Sequence, residues 1–141
     1  MNKIIILNGP NLNLLGEREK NQYGSFTLEN IEINCKEFAD KNSLTLSLFQ
    51  SNIEGELIDS LQEAGFEYDG IILNAAAYTH TSVGIADAVS AVSVPVIEVH
   101  ISNTHAREDF RQKSFIAPNA KGVITGFGLQ SYELALLSFI K

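Results

Sequence analysis

Several polar residues in this 141-residue sequence directly follow apolar runs, and they are the side chains best placed to do chemistry. Asn11 comes after the first run, Asn74 ends the third and His100 ends the fourth, with Ser102 and Asn103 close behind. If the runs are parallel strands, their carboxyl ends meet at one edge of a sheet, where such sheets bind ligands. Any one asparagine could instead serve a turn, but the set as a whole predicts a ligand site.

A carboxylate accompanies His100. Glu98 lies two residues earlier, and alternate residues of a strand project to the same face. A neighbouring carboxylate can hold an imidazole in one tautomer and favours its protonated form. The pair therefore predicts a general acid, although a histidine that ends a strand can also be a structural group.

The other histidines and the single cysteine are less informative. His80 stands at a predicted helix start, where it could bond either a ligand oxygen or a backbone group, and both interpretations stay open. We interpret His105 as solvated and Cys35, at an apolar helical position, as part of the core. Three histidines and one cysteine show no close ligand spacing, so we expect no metal site.

Apolar runs alternate with helical patterns along the whole chain. Ile4 to Leu7 are bulky and lack polar alternation, which is typical of a strand covered on both faces. Thr27 is a good helix cap, and Glu29 would lie in the first turn that follows it. The predicted strands are 4–7, 44–49, 68–74, 94–100 and 121–125, and the predicted helices are 28–39, 52–64 closed by Gly65, a third from Thr81 or Ser82 to before Pro95, 106–113 and 129–140.

Five strands that alternate with helices predict an α/β protein with a flavodoxin-like, doubly wound, five-stranded parallel sheet in the order 2-1-3-4-5. We expect residues 1–141 to form a single catalytic domain. The net charge of -7, with scattered basic residues, argues against binding to nucleic acid or to an anionic membrane. No apolar stretch approaches the ~20 residues of a membrane span, and a lone cysteine agrees with a reducing cytoplasm.

A polar stretch, 16–25, separates the first strand from its helix. It carries Arg18 five residues before Tyr23, which is flanked by glycine. We interpret this stretch as a mobile lid over the site. An ordinary exposed loop is the alternative.

Two other functions of the same fold agree less well with the sequence. A flavin-binding module needs a hydroxyl- and glycine-rich phosphate loop after the first strand, whereas residues 9–15 contain no serine or threonine. A receiver-type signalling domain needs clustered acids at the strand ends to hold magnesium, whereas the first strand ends in Asn8.

The chain resembles a known family, the type II 3-dehydroquinate dehydratases, over essentially its whole length. The longest matches are LNGPNLNLLGERE at 7–19, NAAAYTHTS at 74–82 and EVHISN at 98–103, with further matches at 23–24, 87–88, 107–114, 122–128 and 132–136. The motifs follow the family's order and spacing. The sequence departs from many members at Ala76, where they carry glycine, and at Ala86, where they carry arginine.

The resemblance implies that 3-dehydroquinate is dehydrated to 3-dehydroshikimate in the shikimate pathway of aromatic amino acid biosynthesis. It also implies a homododecamer built from trimers. By position, Tyr23 resembles the base, Arg18 the residue that activates it, His100 the acid and Asn11 the residue that holds a water at the enolate oxygen. The family's substrate-binding positions match Asn74, His80, Asp87, Arg107, Arg111 and the backbone of Ile101 and Ser102.

The chemistry of such a substrate agrees with these side chains. Elimination from a β-hydroxy ketone with a carboxylate needs a base, an enolate stabiliser, an acid and an anion clamp, and each has a candidate. An imine route would need a desolvated lysine, whereas only Lys20, in the proposed lid, lies near the predicted site. We therefore expect an enolate intermediate, with no metal or other cofactor.

Overall fold

The computed structural model describes residues 2–17 and 25–140. Its five parallel strands lie in the order β2-β1-β3-β4-β5, which confirms the predicted sheet. The strands are β1 (Asn2–Asn8), β2 (Leu44–Gln50), β3 (Gly70–Asn74), β4 (Val96–His100) and β5 (Gly122–Thr125). The α-helices are α1 (Leu28–Lys41), α2 (Glu54–Glu67), α3 (Val83–Ala91) and α4 (Gln130–Leu137). None of the helices in these two ranges is long and apolar enough to cross a membrane.

The central strand, β1, is covered on both faces, as its apolar run predicts. Ile4 and Ile6 belong to the core beneath α1 and α4, whereas Leu7 belongs to the core beneath α2 and α3. This division follows because alternate side chains of a strand project to opposite faces. Cys35 is fully buried in the first of these cores, and burial raises the pKa of its thiol to about 12.

The sheet register brings the polar strand ends level with one another. Asn8 at the end of β1 pairs with Gln50 of β2 and with Asn74 of β3. His100 at the end of β4 pairs with Thr125 of β5. All five strands therefore end in polar side chains along one edge of the sheet.

Two helices begin at side-chain caps. Thr27 Oγ1 accepts the backbone N–H of Asn30 at 3.1 Å, and Asn30 Oδ1 accepts that of Thr27 at 3.0 Å. Ser82 Oγ accepts the backbone N–H of Ile85 at 2.9 Å. Each bond satisfies an N–H that has no partner within its own helix, so these residues determine where α1 and α3 start.

The helix predicted over 106–113 is wrong. This stretch instead contains two separate 3-10 turns, Thr104–Ala106 and Asp109–Gln112. So short a segment gains little from helical hydrogen bonds, and side chains stabilise it instead: Asn103 Oδ1 accepts the backbone N–H of His105 at 3.1 Å.

Several other helix boundaries also differ from the prediction by a few residues. Gly65 does not close α2, which continues to Glu67. The glycine is needed for packing, because a Cβ there would lie 2.9 Å from the side chain of Val92. The last helix, α4, ends at Leu137 rather than at Ile140.

Candidate active site

A cavity of about 110 Å³ opens at the carboxyl edge of the sheet, beyond the ends of β1, β3 and β4. Many of the site residues predicted from the sequence line it: Asn11, Asn74, His80, His100, Ile101, Ser102, Arg107 and Arg111. Residues that are far apart in sequence are therefore brought together at the edge where the strand ends meet.

The loop after β1 is fixed by contacts to the ends of β2 and β3. The N–H of Gly9 donates to the Asn74 carbonyl at 2.7 Å, and a Cβ on Gly9 would lie 2.6 Å from the Ala75 oxygen. Only glycine fits there. Asn11 adopts a left-handed φ of 68°, which asparagine tolerates, and its N–H donates to Asn52 Oδ1 at 2.9 Å. These contacts place Asn11, with its side chain exposed, at the pocket.

Asn74 is buried at the end of β3, and its amide has one orientation. Its Oδ1 accepts the backbone N–H of Ala76 at 3.1 Å, and its Nδ2 donates to the hydroxyl of Tyr132 at 2.9 Å. Because an amide nitrogen carries two hydrogens, one N–H of Asn74 remains for a ligand in the pocket.

His100 forms a buried pair with Glu98. His100 Nε2 lies 2.5 Å from Glu98 Oε2, and Ser114 Oγ donates to the other carboxylate oxygen at 2.9 Å. Ser114 Oγ also accepts the backbone N–H groups of Ile116 and Ala117, so its own proton is directed to Glu98. The carboxylate is thus held from two sides, and Nδ1 of His100 is the ring atom left for a ligand.

His80 contacts the backbone with one nitrogen and lines the pocket with its ring. Its Nδ1 lies 2.8 Å from the carbonyl of Lys113, which can only accept, so Nδ1 carries the proton. Burial lowers the pKa of His80, and the nearby His100 and Arg111 act in the same direction. The ring is therefore neutral at pH 7, and its Nε2 is a hydrogen-bond acceptor.

The chain turns after β4 so that two carbonyls face away from the pocket. Gly128 N–H donates to the Ile101 carbonyl at 3.0 Å, and the Thr125 hydroxyl donates to the Ser102 carbonyl at 2.9 Å. Within the described part of the chain, the N–H groups of Ile101 and Ser102 donate to no acceptor. Adjacent free N–H groups in a pocket wall suit an anion.

Two arginines add positive charge to the same wall. Arg107 Nη1 donates to Ser102 Oγ at 3.2 Å, and Arg111 Nε donates to both oxygens of Glu108 at 3.2 and 3.3 Å. Arg107 Nε lies 3.8 Å from the same carboxylate. Glu108 accepts a hydrogen bond from its own backbone N–H, and this bond lowers the pKa of its carboxyl. The Arg111 guanidinium acts in the same direction. Glu108 thereby orients both arginines.

Two predicted site residues that the structure describes, Glu98 and Asp87, are not among those that line the pocket. Asp87 lies exposed on α3, outside the lining of a single chain. Arg18 and Tyr23 lie outside the described residues, so their roles stay predictions. Among the residues that the structure describes, no group of three His, Cys, Asp or Glu could hold a metal ion.

Four residues that support the site were not singled out from the sequence: Asn8, Glu108, Ser114 and Tyr132. All four fall inside the stretches that match the family, but no spacing rule joins Asn8 to Tyr132, which are 124 residues apart and hydrogen-bonded at 2.6 Å. Glu108 had a local signal, since it follows one arginine and precedes another by three residues.

Comparison with known proteins agrees with this geometry. The family model described as Dehydroquinase class II matches residues 2–140. The chain belongs to this family. A 3-dehydroquinate dehydratase of Nitratiruptor sp. is 56% identical, over 96% of this chain and 87% of the relative. A 3-dehydroquinate dehydratase of Bacillus licheniformis is 54% identical, over 99% of this chain and 97% of the relative.

Solved structures of class II dehydroquinases share the fold. The crystal structure of a type II dehydroquinase from Butyrivibrio crossotus is 46% identical, with a TM-score of 0.95, and the match covers 96% of this chain and 95% of that one. The crystal structure of the type II dehydroquinase from Propionibacterium acnes is 37% identical, with a TM-score of 0.95, and the match covers 98% of this chain and 95% of that one.

Ala76 is one of the two positions, with Ala86, at which we expect the sequence to depart from many members of the family. Its φ of 52° lies in the left-handed region, where a residue with a Cβ is strained by about 1 kcal/mol. The same residue donates its N–H to Asn74. The alanine thus occupies a conformation suited to glycine while keeping a hydrogen bond that orients the site.

Proposed function

We propose that this chain is a hydro-lyase that converts 3-dehydroquinate to 3-dehydroshikimate in the shikimate pathway. Its membership of the class II dehydroquinases supports this activity. The observation that carries it is the His100–Glu98 pair, which opens onto a pocket walled by two arginines and two free backbone N–H groups. An acid beside an anion site is what elimination from a carboxylated β-hydroxy ketone requires.

The reaction begins with loss of a proton α to the ketone. We assign the base to Tyr23 and its activation to Arg18, because both positions resemble the family's. The electron pair of the broken C–H bond passes to the ketone oxygen and gives an enolate. Asn11, whose side chain is exposed at the pocket, holds a water against that oxygen.

His100 then protonates the departing C1 hydroxyl, which leaves as water while the enolate electrons form the new C=C bond. The Glu98 carboxylate stabilises the imidazolium that must donate this proton. His80 stays neutral beside it, with the two ring centroids 6.3 Å apart. The imidazolium of His100 therefore meets no positive charge on the neighbouring ring.

The substrate carboxylate lies against the N–H groups of Ile101 and Ser102, within the field of the arginines. Arg107 and Arg111 supply that positive charge. His80 Nε2, as an acceptor, binds a substrate hydroxyl, and the free N–H of Asn74 binds a second polar group. These roles use the hydrogen-bonding capacity that the protein leaves unfilled.

The route uses an enolate rather than an imine. None of the described lysines lines the pocket, and an imine needs a lysine beside the ketone. We propose that no metal or other cofactor takes part, and activity should therefore survive a chelator. It should also survive borohydride added with substrate, whereas irreversible loss with added mass on a lysine would contradict the enolate route.

We further propose that residues 1–141 form one catalytic domain of a cytoplasmic protein. Twelve copies assemble as four trimers into a homododecamer. Exposed apolar side chains such as Phe66, Val83 and Ile53 support association of copies. Asp87, one turn of α3 beyond Val83 and outside the pocket of its own chain, contacts substrate only if it reaches a neighbouring copy. Sedimentation velocity measures the assembly, and a monomer would contradict it.

The direct test of the activity is turnover of 3-dehydroquinate, followed by the ultraviolet absorbance of the conjugated enone. We expect the purified chain to give this signal without added metal. A matched preparation carrying His100→Ala controls for contaminating enzyme. Absence of turnover by the wild-type chain would refute the proposed function.

A further inference from the structure

Tyr132 occupies a position that the reaction does not explain. It is among the largest fully buried side chains, in the core beneath α4. Its hydroxyl lies between two asparagines at adjacent strand ends, 2.9 Å from Asn74 Nδ2 and 2.6 Å from Asn8 Oδ1. Asn8 is also buried, so all three polar groups depend on one another for hydrogen bonds.

Four groups form a series of hydrogen bonds, from the Ala76 backbone N–H through the Asn74 amide and the Tyr132 hydroxyl to Asn8 Oδ1. The first donor, the Ala76 N–H, determines the direction of every bond in the series. The Ala76 backbone N–H can only donate, so it requires Asn74 Oδ1 as acceptor at 3.1 Å. Nδ2 of Asn74 must then face Tyr132 and donate to it. The hydroxyl proton of Tyr132 consequently goes to Asn8, whose oxygen must face it. Burial raises the pKa of Tyr132 above its ordinary value, which keeps that proton in place.

This series also joins two strands that carry site residues. Gly9, next to Asn8, donates its N–H to the Asn74 carbonyl at 2.7 Å. The ends of β1 and β3 are thus tied once through the backbone and once through Tyr132 of α4. A change at Tyr132 therefore reaches both Asn74 and the loop that carries Asn11.

We propose that Tyr132 is a positioning residue for substrate binding: its hydroxyl holds the Asn74 amide in the one orientation that presents an N–H to the pocket. This inference rests on the proposed function of the site. Without the hydroxyl, Asn74 Nδ2 loses its acceptor, so the amide is held in that orientation only by the single bond from the Ala76 N–H and turns more easily. Because the proposed function assigns Asn74 to substrate binding and to no step of the reaction, the loss should affect ground state and transition state alike.

The first test is Tyr132→Phe, assayed at a temperature where the variant is fully folded. One neutral hydrogen bond corresponds to about a three- to tenfold change in affinity, so KM for 3-dehydroquinate should rise by about that factor while kcat changes less than twofold. Cys35→Ala is the matched control. Cys35 is buried in the same core, and its truncation should lower the unfolding temperature without changing KM.

A double-mutant cycle with Asn8→Leu tests the series itself. Asn8→Leu removes the acceptor of the Tyr132 proton, so it should raise KM as Tyr132→Phe does, and the double variant should be no worse than either single one. An unchanged KM in Tyr132→Phe, or additive KM effects in the cycle, would overturn the proposal.

The wild-type protein separates this inference from the proposed function. If it fails to turn over 3-dehydroquinate, the proposed function falls, and the crystal structure of Tyr132→Phe decides the positioning role. A rotated Asn74 side chain that has left the Ala76 N–H supports the role, and an unmoved Asn74 overturns it.

Discussion

Replacing Glu98 by glutamine perturbs the acid without changing its shape. The carboxylate is 1% exposed and accepts from both Ser114 and His100. In Glu98→Gln the amide oxygen can still accept from Ser114, and the NH2 group then faces His100 Nε2. Nε2 can accept from that group only when the ring is neutral and carries its proton on Nδ1. The imidazolium therefore loses both its acceptor and the charge that stabilises it.

The expected magnitude follows from those contacts. A hydrogen bond to a charged group contributes about 1.5–3 kcal/mol, and each 1.36 kcal/mol is tenfold in rate. If that stabilisation is lost when His100 must donate its proton, kcat falls by about 10- to 150-fold. His100→Ala, which removes the acid itself, should lose about 10²- to 10⁴-fold.

The assay is steady-state turnover measured by enone absorbance, with Glu56→Gln as the matched control. Glu56 also accepts a serine hydroxyl, that of Ser51 at 2.5 Å, but it lies on α2 and has no histidine partner among the described residues. Its replacement should leave kcat unchanged. If Glu98→Gln keeps kcat within threefold of wild type, the carboxylate does not support the acid and the reasoning is refuted.

Further predictions concern the base, the neutral histidine and the strained turn. Tyr23→Phe should abolish turnover yet still bind substrate, and Arg18→Ala should lower kcat more than affinity and move the acidic limb of the pH–rate profile upward; substantial activity of Tyr23→Phe would place the base elsewhere. Because burial lowers the pKa of His80, the unfolded chain binds that proton more tightly, so stability falls as pH drops below about 6.5. His80→Asn should reduce the loss of unfolding temperature between pH 7 and pH 5, and an equal loss would contradict the neutral ring. Ala76→Gly should relieve about 1 kcal/mol of strain, partly offset by the greater freedom of glycine in the unfolded chain, so a loss above 1 kcal/mol on chemical denaturation would be unexpected.

The sheet was predictable because its signals are local. The unbroken apolar run of β1 requires cover on both faces, and the structure supplies it with Ile6 toward one core and Leu7 toward the other. The alternation of strands and helices then leaves few parallel arrangements. The pairing of Glu98 with His100 was also predictable, since it depends only on the period of two along a strand.

The supporting contacts were not predictable because they join distant parts of the chain. Tyr132 meets Asn74 across 58 residues, and Ser114 meets Glu98 across 16 residues and a change of element. The 3-10 turns near Arg111 also escaped prediction, since side-chain contacts rather than helical periodicity hold them. Asp87 shows the same limit: its position in a motif does not bring it into the pocket of its own chain.

In the proposed mechanism His100 acts after the α proton has left. The measurement that tests it most directly compares wild type with His100→Ala for enone formation and for exchange of the substrate's α proton in deuterated solvent. We predict that the variant loses about 10²- to 10⁴-fold in enone formation but still exchanges that proton. Near-normal enone formation by His100→Ala would contradict the claim and leave His100 a structural residue.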